Sequence, residues 1–180
     1  IVARRQDSLD AAYGNLPEAK GYVDLELAIS DSGADAWVVA CTTSEHVSVV
    51  RQLLEAGKKV LLEKPISQEM DEAESLGELV AEDSSNLMLG HILLFNSEFR
   101  QLRSEVKQRG KLYHIDAVRH RPASILQDFR GENPLYAAMV HDLYCAQALL
   151  DGAEPQEFSC QYHTTEGGID LANATLTWGN

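Results

Sequence analysis

Apolar residues in the first half of the chain fall into short runs separated by longer amphipathic segments. The runs have the β-rich composition of strands covered on both faces, and the segments between them repeat their apolar residues at helical spacing. The predicted strands are residues 35–41, 59–63 and 86–90, and the predicted helices are residues 42–59 and 70–82. This alternation of strand and helix, with short connections, predicts a parallel α/β sheet.

Both predicted helices carry signals for their ends or their buried face. Ser44 can cap the first helix, and Gly57 suits its end. In the second helix we expect an inward apolar face made of Met70, Ala73, Leu76 and Val80. Upstream of the first run, residues 1–5 indicate the tail of a strand, and residues 7–14 and 22–33 indicate helical turns.

The pattern changes after Gly90. We predict a helix over residues 97–110 with Ser97 as its cap, and a helix that Asn133 caps and Gly152 ends. Half-exposed strands are predicted at 111–122, 156–165 and 171–178, the last two alternating as antiparallel strands do. The predicted fold class is therefore α/β, with a parallel sheet in residues 1–111 and the start of an α+β domain with an open antiparallel sheet in residues 112–180.

Composition narrows the class of protein. The formal net charge of −13 argues against nucleic acid and anionic membrane surfaces as partners. No apolar run is long enough for a membrane span, and no signal peptide is recognisable. The three cysteines form no zinc or redox motif, so we expect reduced thiols, a cytoplasmic location and no metal site. The chain begins with Ile1 rather than methionine, and we interpret it as a fragment of a longer polypeptide.

Polar side chains follow each of the three predicted strands. Thr42 and Thr43 come after the first, the turn Glu63-Lys64-Pro65 comes after the second, and His91 follows the third. Ligands of open parallel sheets bind outside the carboxyl ends of the strands, so these residues stand where a ligand is expected. Without further context Glu63-Lys64 would be a solvated turn pair.

Three stretches resemble the Gfo/Idh/MocA family of nicotinamide-dependent oxidoreductases, which includes glucose–fructose oxidoreductase and inositol dehydrogenase. They are ADAWVVACTTSEHVSVVRQLLEAGKKVLLEKPIS at 34–67, GHILLFN at 90–96 and MVHDLYCAQALLDG at 139–152. The sequence E-K-P is weakly specific alone, but together with T-T-S-x-H upstream and a helical H-D downstream it is strong. The resemblance covers nearly the whole chain.

The resemblance implies a Rossmann cofactor domain, here lacking its N-terminal part, followed by an α/β domain with an open sheet. It assigns catalysis to Lys64, which would touch both the nicotinamide ribose and the substrate, and to His141 as the acid/base. Alcohol oxidation needs both, since a hydride leaves carbon while a proton leaves oxygen. The expected cofactor contacts are Arg4, Arg5, Thr42, Thr43, His46, Glu63, Lys64 and Pro65, and the expected substrate contacts are His91 and Asn96.

We expect NADP(H) as the cofactor, with NAD possible. The strand at the start of the chain ends in Ala3-Arg4-Arg5, and the next acid is Asp7. NAD-specific proteins place an acid on the ribose hydroxyls at this point, whereas an arginine accommodates the 2′-phosphate of NADP. The expected partners are a sugar or polyol substrate and further copies of the chain, associated through the second domain.

Several alternatives stay open at the level of the sequence. His46 could cap or pack rather than contact cofactor, and His91 could be a core histidine. The three remaining histidines, His114, His120 and His163, lie on predicted strands without partner spacing and are interpreted as structural.

Three departures from the family pattern also bear on function. The glycine-rich phosphate loop is absent, Ala137 stands where relatives commonly carry aspartate, and Leu94 stands where they often carry arginine. The leading hypothesis is an oxidoreductase acting on a secondary alcohol of a sugar-like or cyclic polyol. The alternatives are a catalytically impaired cofactor-binding regulator or sensor, and a fragment with only a structural role.

Overall fold

The computed structural model describes residues 1–120, 133, 135–166 and 168–179. It divides into two compact units, Ile1–Gly90 and His91–Asn180. The division falls at the end of the last strand of the first unit, upstream of the domain boundary at 111–112 that the sequence suggests. The placement of a domain boundary at 111–112 stays a prediction.

The first unit is a parallel α/β structure, as the hydrophobic pattern predicts. Its elements are α1 (Gln6–Tyr13), α2 (Leu25–Asp31), β1 (Ala36–Val39), α3 (Thr43–Glu55), β2 (Lys59–Leu62), α4 (Met70–Glu74), a 3₁₀ turn (Gly77–Leu79) and β3 (Leu87–Leu89). The strands form one sheet in the order β1-β2-β3, with Val38 beside Leu61 and Leu61 beside Met88. Val2 and Tyr22 form a separate parallel bridge, so the first residues are extended as predicted.

Helix α3 covers one face of this sheet and provides the core. Its buried residues Val50, Leu53 and Leu54 pack with side chains from the strands and from the segment after α4, namely Val39, Val60, Leu62 and Leu76. Burial of side chains of this size contributes roughly 1.5–3 kcal/mol each. The strands leading to the polar turns are therefore fixed by their own packing.

The opposite face of the sheet is open in the described structure. Val38 is 70% exposed, and Leu61 and Met88 are also exposed. The prediction that these strands are covered on both faces is wrong for this chain. A continuous apolar run indicates that both faces of a strand are apolar. It does not indicate which helix or strand would cover each face.

Two details of the predicted helices also differ. Helix α4 ends at Glu74, with a 3₁₀ turn from Gly77, and Met70 is exposed rather than inward. Glycine is a poor helix former, which explains the break before residue 82. Helix α3 is preceded by Thr42 as its N-cap instead of Ser44.

The second unit combines helices with an antiparallel hairpin. Its elements are a 3₁₀ turn (Ile92–Phe95), α5 (Ser97–Arg109), a π-helical segment (Leu135–Met139), α6 (Val140–Leu149), β4 (Glu157–Thr165) and β5 (Gly168–Thr177). Strands β4 and β5 pair antiparallel, which confirms the predicted change from a parallel to an antiparallel sheet. No helix in the described ranges is long and apolar enough to cross a lipid bilayer.

The predicted strand at 111–122 is wrong over residues 111–120, which have no regular secondary structure; residues 121 and 122 lie outside the described residues. An alternating pattern of side chains is not sufficient for a strand, because the backbone N–H and C=O groups also need a neighbouring strand as their hydrogen-bond partner. In the described sheet β4 and β5 pair with each other. His114 and His120 therefore lie on no strand, whereas His163 lies on β4.

The predicted helix from Asn133 is confirmed in part. Asn133 Oδ1 accepts a hydrogen bond from the Leu135 N–H at 3.0 Å, as a cap does. The helix opens with the π-helical segment before becoming regular at Val140. Helix α5 differs at its start, because the cap is Asn96, whose side chain accepts from the Glu98 N–H at 2.9 Å, and not Ser97.

Candidate active-site residues

The turn after β2 is built around Glu63. The Glu63 N–H donates to Val39 O at 2.9 Å, and the Glu63 carboxylate accepts from the Lys64 N–H at 3.3 Å. The carboxylate lies over Gly90, where an added Cβ would stand 3.2 Å from both Glu63 Oε2 and Leu62 O. The Lys64–Pro65 peptide bond is cis. The absence of a side chain at Gly90 thus leaves room for the acid that precedes Lys64.

His46 joins this turn to the loop after β1. The side chain is buried on α3, and its Nδ1 lies 2.8 Å from Pro65 O while its Nε2 lies 3.1 Å from Cys41 O. Both carbonyl oxygens are acceptors, so a ring nitrogen donates to its carbonyl where it carries the proton. Both ring nitrogens face the protein's own backbone. The packing interpretation accounts for this geometry, and a direct contact of His46 with a cofactor stays a prediction.

Thr42, Thr43 and Arg4 lie at the same edge of the first unit. Thr42 precedes α3 without capping it through its side chain, and its carbonyl accepts from the Glu45 N–H at 2.8 Å. Arg4 Nη1 lies 3.5 Å from Glu45 Oε1, with the guanidinium largely in solvent. Arg5 immediately precedes α1. The carboxyl ends of the Val2 segment, β1 and β2 therefore carry cations and hydroxyls together.

Cys41 lies among these groups as an exposed free thiol. Partial burial raises its pKa, the Glu45 carboxylate raises it further, and the Arg4 guanidinium opposes the increase. A raised pKa keeps sulfur protonated at neutral pH, and the thiolate is the nucleophilic form. We assign Cys41 no chemistry.

The edge of the first unit carries groups of the kinds that bind phosphates. Arg4, Arg5 and Lys64 supply positive charge, and Thr42 and Thr43 supply hydroxyl groups beside the first turn of a 13-residue helix. Phosphates favour such a setting because helix N-termini present N–H groups and positive potential. In the described part of the chain, no group of three or more His, Cys, Asp or Glu side chains could hold a metal ion.

His91 is buried at the start of the second unit. It stacks on Tyr144 of α6, with ring centroids 3.3 Å apart and planes inclined by 27°. Burial raises the pKa of the Tyr144 phenol. Tyr144 was missed by the sequence reasoning, although it stands three residues after His141 and hence on a neighbouring helix position. This geometry suits a packing histidine, and its predicted contact with substrate stays untested.

His141 is half-buried in the first turn of α6, directly after the π-helical segment. Ala137 is buried within that segment. The next residue, Asp142, forms a two-point ion pair with Arg119: Nε lies 3.0 Å from Oδ2 and Nη2 lies 2.8 Å from Oδ1. Sequence reasoning noted Asp142 only as part of the H-D motif and did not find its pairing with Arg119, because the two residues are distant in the chain. Asn96 is engaged as the cap of α5, and its predicted contact with substrate is likewise untested.

The fold and these residues define a Rossmann-type nucleotide-binding domain with a lysine-bearing turn at its ligand edge. A sequence model described as the oxidoreductase family GFO_IDH_MocA, with an NAD-binding Rossmann fold, matches residues 1–91. The chain thus belongs to the Gfo/Idh/MocA oxidoreductase family.

Individual relatives agree with this assignment. The chain is 31% identical to inositol 2-dehydrogenase of Leifsonia xyli over 137 residues, covering 73% of this chain and 40% of the relative. It is 29% identical to UDP-N-acetylglucosamine 3-dehydrogenase of Acidithiobacillus ferrooxidans over 151 residues, covering 81% of this chain and 45% of the relative.

The solved structures show the same fold. Myo-inositol dehydrogenase of Lactobacillus casei, in complex with NAD(H) and myo-inositol, matches with a TM-score of 0.78 at 19% identity. The match covers 98% of this chain and 54% of that structure. The chain spans less than half the length of the curated relatives named above and just over half of this solved structure.

Proposed function

We propose that the protein is an NAD(P)-dependent oxidoreductase acting on a secondary alcohol of a sugar-like or cyclic polyol. Family membership supports the class of reaction, and relatives named as inositol and UDP-N-acetylglucosamine dehydrogenases support the class of substrate. The single observation that carries the proposal is the Glu63-Lys64-Pro65 turn. It is held by His46 on one side and accommodated by Gly90 on the other.

For the proposed reaction we keep the roles that the family resemblance implies for Lys64 and His141. The Lys64 ammonium would donate a hydrogen bond to the substrate oxygen and stabilise negative charge on it, and the His141 imidazole would accept the hydroxyl proton. A nicotinamide, when bound, would supply the acceptor for the hydride. For this role the backbone of Lys64 has to be fixed. The contacts of the Glu63-Lys64-Pro65 turn with His46 and with Val39 O support this requirement.

NADP(H) is the proposed cofactor, with NAD as the alternative. Arg4 and Arg5 would contact the 2′-phosphate, and Thr42 and Thr43 would contact the phosphates or ribose near the first turn of α3. The proposal is supported by the exposure of the Arg4 guanidinium, whose contact with Glu45 at 3.5 Å is long and solvated. A weak contact of this kind can be exchanged for a phosphate.

The test is nicotinamide absorbance with the full-length protein and a panel of inositols, aldoses and nucleotide sugars, with both cofactors. We expect turnover of at least one polyol, lost in His141→Ala and retained in His114→Ala, a matched control at an exposed histidine. A His141→Ala variant as active as wild type would remove His141 from the mechanism. Absence of turnover with every substrate, despite cofactor binding, would favour the second candidate.

That second candidate is a cofactor-binding regulator or sensor without catalysis, and Ala137 favours it. The residue is buried and carries no carboxylate to orient or charge an imidazole one turn away. In an active enzyme, Ala137→Asp should move the basic requirement of the pH–rate profile to higher pH, because a neighbouring carboxylate favours imidazolium. In a non-catalytic binder the same change should create no turnover.

We place the protein in the cytoplasm as a homo-oligomer. The three cysteines carry no disulfide, which suits a reducing compartment. The β4–β5 hairpin exposes Phe158, Tyr162 and Leu171, and apolar exposure of this kind on a sheet suits self-association. Light scattering of wild type and Tyr162→Lys tests this; an unchanged mass in the variant would place the interface elsewhere.

A further inference from the structure

Arg119 and Asp142 form an ion pair in the second unit that is made through two atoms of each side chain. Two parallel hydrogen bonds of 3.0 and 2.8 Å join the guanidinium edge to the carboxylate. The side chains are 37% and 24% exposed, respectively, so the pair is partly shielded from water. The hydrogen bond to Asp142 is the main reason that the pKa of Arg119 is raised. Two-point contacts of this kind fix orientation as well as distance.

Comparison with the two ion pairs that Asp151 forms in the same unit shows how the Arg119–Asp142 pair differs from them. Arg103 and Lys107 both reach Asp151, at 3.4 and 3.3 Å, and all three side chains are largely exposed. Contacts of that length and exposure contribute little. The Arg119–Asp142 pair is shorter, less exposed and made through two atoms of each side chain.

The place of Asp142 in its helix gives the pair a specific consequence. Asp142 lies in the first turn of α6, immediately after His141. The backbone changes from π-helical to α-helical at Val140, and the spacing of its backbone hydrogen bonds changes there too. The hydrogen bonds of the π-helical segment therefore do not by themselves set the rotation of the first turn of α6. Consecutive residues of a helix point about 100° apart. Anchoring Asp142 therefore fixes the rotation of this turn about the helix axis, and with it the direction of His141.

Arg119 comes from outside the helix. It belongs to residues 111–120, which have no regular secondary structure. Through its two hydrogen bonds to Asp142, the Arg119 side chain joins this segment to α6. Asp142 carries its negative charge in the first turn of α6, where it interacts favourably with the helix dipole. The same carboxylate that binds Arg119 therefore also stabilises the start of the helix.

We infer that Arg119 and Asp142 are a positioning pair that orients His141 for proton transfer. The inference rests on the function proposed above, because that function gives His141 its role in proton transfer. The pair itself is assigned no contact with substrate or cofactor. The inference assigns to Arg119 a role that the alternating pattern of residues 111–122 does not indicate. It also gives Asp142 a task different from that of a carboxylate at position 137, which would contact the imidazole directly.

The experiment compares Arg119→Gln with Arg103→Gln in the full-length enzyme. Arg119→Gln should lower kcat about 10- to 100-fold, the cost of a misplaced reacting group, with KM and cofactor affinity unchanged. Arg103→Gln removes an arginine from an exposed pair in the same unit and should leave kcat unchanged. Arg119→Lys keeps the charge but loses the two-point contact, and kcat should fall between wild type and Arg119→Gln.

A spectroscopic measurement separates positioning from general destabilisation. The imidazole ¹⁵N and ¹H signals of His141 should shift in Arg119→Gln while those of His163, on the hairpin, stay in place. Far-UV circular dichroism and the thermal midpoint of each variant establish that it is folded. If Arg119→Gln does not fold, Arg119→Lys carries the test, and failure of both to fold would make the pair structural and overturn the inference.

The outcomes also distinguish this inference from the proposed function. Wild-type kcat in folded Arg119→Gln, together with an inactive His141→Ala, would overturn the positioning pair and leave the function standing. Full activity of His141→Ala would overturn the function itself. A raised KM in Arg119→Gln with kcat unchanged would indicate lost substrate binding rather than positioning, and that outcome also contradicts the inference.

Discussion

The two units of this chain are held together in different ways. The first unit buries a continuous apolar cluster between its sheet and α3, made of Val39, Val50, Leu53, Leu54, Val60, Leu62 and Leu76. In the described part of the second unit, Ala137 and His91 are the residues classed as buried. Helix α6 contacts His91 through a ring stack and Arg119 through a two-point ion pair, and an exposed ion pair joins α5 to Asp151. Apolar burial is the dominant favourable term in folding, so the first unit is expected to be the more stable.

This difference suits the roles proposed for the units. A turn that holds the proposed cofactor-binding lysine would benefit from a firmly packed sheet. The histidine proposed for proton transfer, His141, would by our inference be positioned through polar contacts, which individual substitutions can weaken without removing the core. The comparison therefore predicts that substitutions in the two units will change different measurable quantities.

The largest expected effect is on catalysis. His141→Ala should lower kcat by about 10²- to 10⁴-fold, the usual loss for a general acid/base, and leave cofactor affinity unchanged. Lys64→Ala should weaken cofactor and substrate binding together, because one ammonium serves both. Steady-state kinetics and equilibrium binding of NADPH measure the two responses. Identical response patterns in the two variants would contradict the proposed division of roles.

The next effect is on stability. Leu53 is completely buried against the sheet, whereas Leu171 on the hairpin is 63% exposed. Leu53→Ala should lower the free energy of unfolding by about 2–5 kcal/mol, because it leaves a cavity. Leu171→Ala, the matched control, should change it by less than about 0.5 kcal/mol. Urea unfolding followed by circular dichroism compares them, and equal destabilisation would mean that Leu171 is buried by association.

A smaller effect is expected on cofactor choice. Arg4→Ala should weaken NADPH binding roughly tenfold, the value of one exposed charged contact to a phosphate, and leave NADH binding nearly unchanged. Arg109→Ala removes an exposed arginine of the second unit and controls for the change in net charge. Calorimetric titration with each cofactor is the measurement. Tighter binding of NADH than NADPH by the wild type would contradict the proposed preference for NADP(H).

The smallest effect concerns two exposed carboxylates, one in each unit. Hydrogen bonds from Lys20 and Tyr22 lower the pKa of Asp31, and hydrogen bonds from Lys107 and Arg103 lower the pKa of Asp151. A lowered pKa means that each carboxylate stabilises the fold above the pKa of ~4 that an unfolded aspartate has, and loses this effect as pH falls through the folded value.

Asp31→Asn and Asp151→Asn should therefore destabilise slightly at pH 7 and less at pH 3. Chemical unfolding at both pH values checks this for each unit. A larger penalty at the lower pH in either variant would contradict the assigned sign. Similar small penalties in both units would show that the difference between them lies in apolar burial and not in surface charge.

The sequence predicts much of the first unit and less of the second, for a physical reason. Strands β1, β2 and β3 and helix α3 follow from local periodicity, and the order of elements settles the parallel sheet. The predicted strand at 111–122 fails over its described residues because pairing is not encoded in one segment. The π-helical segment before Val140 is a change of hydrogen-bond register that composition does not signal.

The candidate site shows the same limit. Lys64 and His141 come from motifs, but their neighbours depend on contacts between distant residues. The positions of His46 between two backbone carbonyls and of Arg119 against Asp142 have no signature in either local sequence. Gly90 is similar, because the crowding that an added Cβ would meet there comes from the Glu63 carboxylate and the Leu62 carbonyl, which approach it only in the folded chain.

The contacts of His46 have a consequence for how this region tolerates substitution. Its two partners, Cys41 O and Pro65 O, are main-chain atoms that every residue carries. Exchange of Cys41 for another small residue leaves its carbonyl in place, whereas exchange of His46 removes the only side chain in this bridge. In a library of single variants selected for folding, position 41 should accept many residues and position 46 very few.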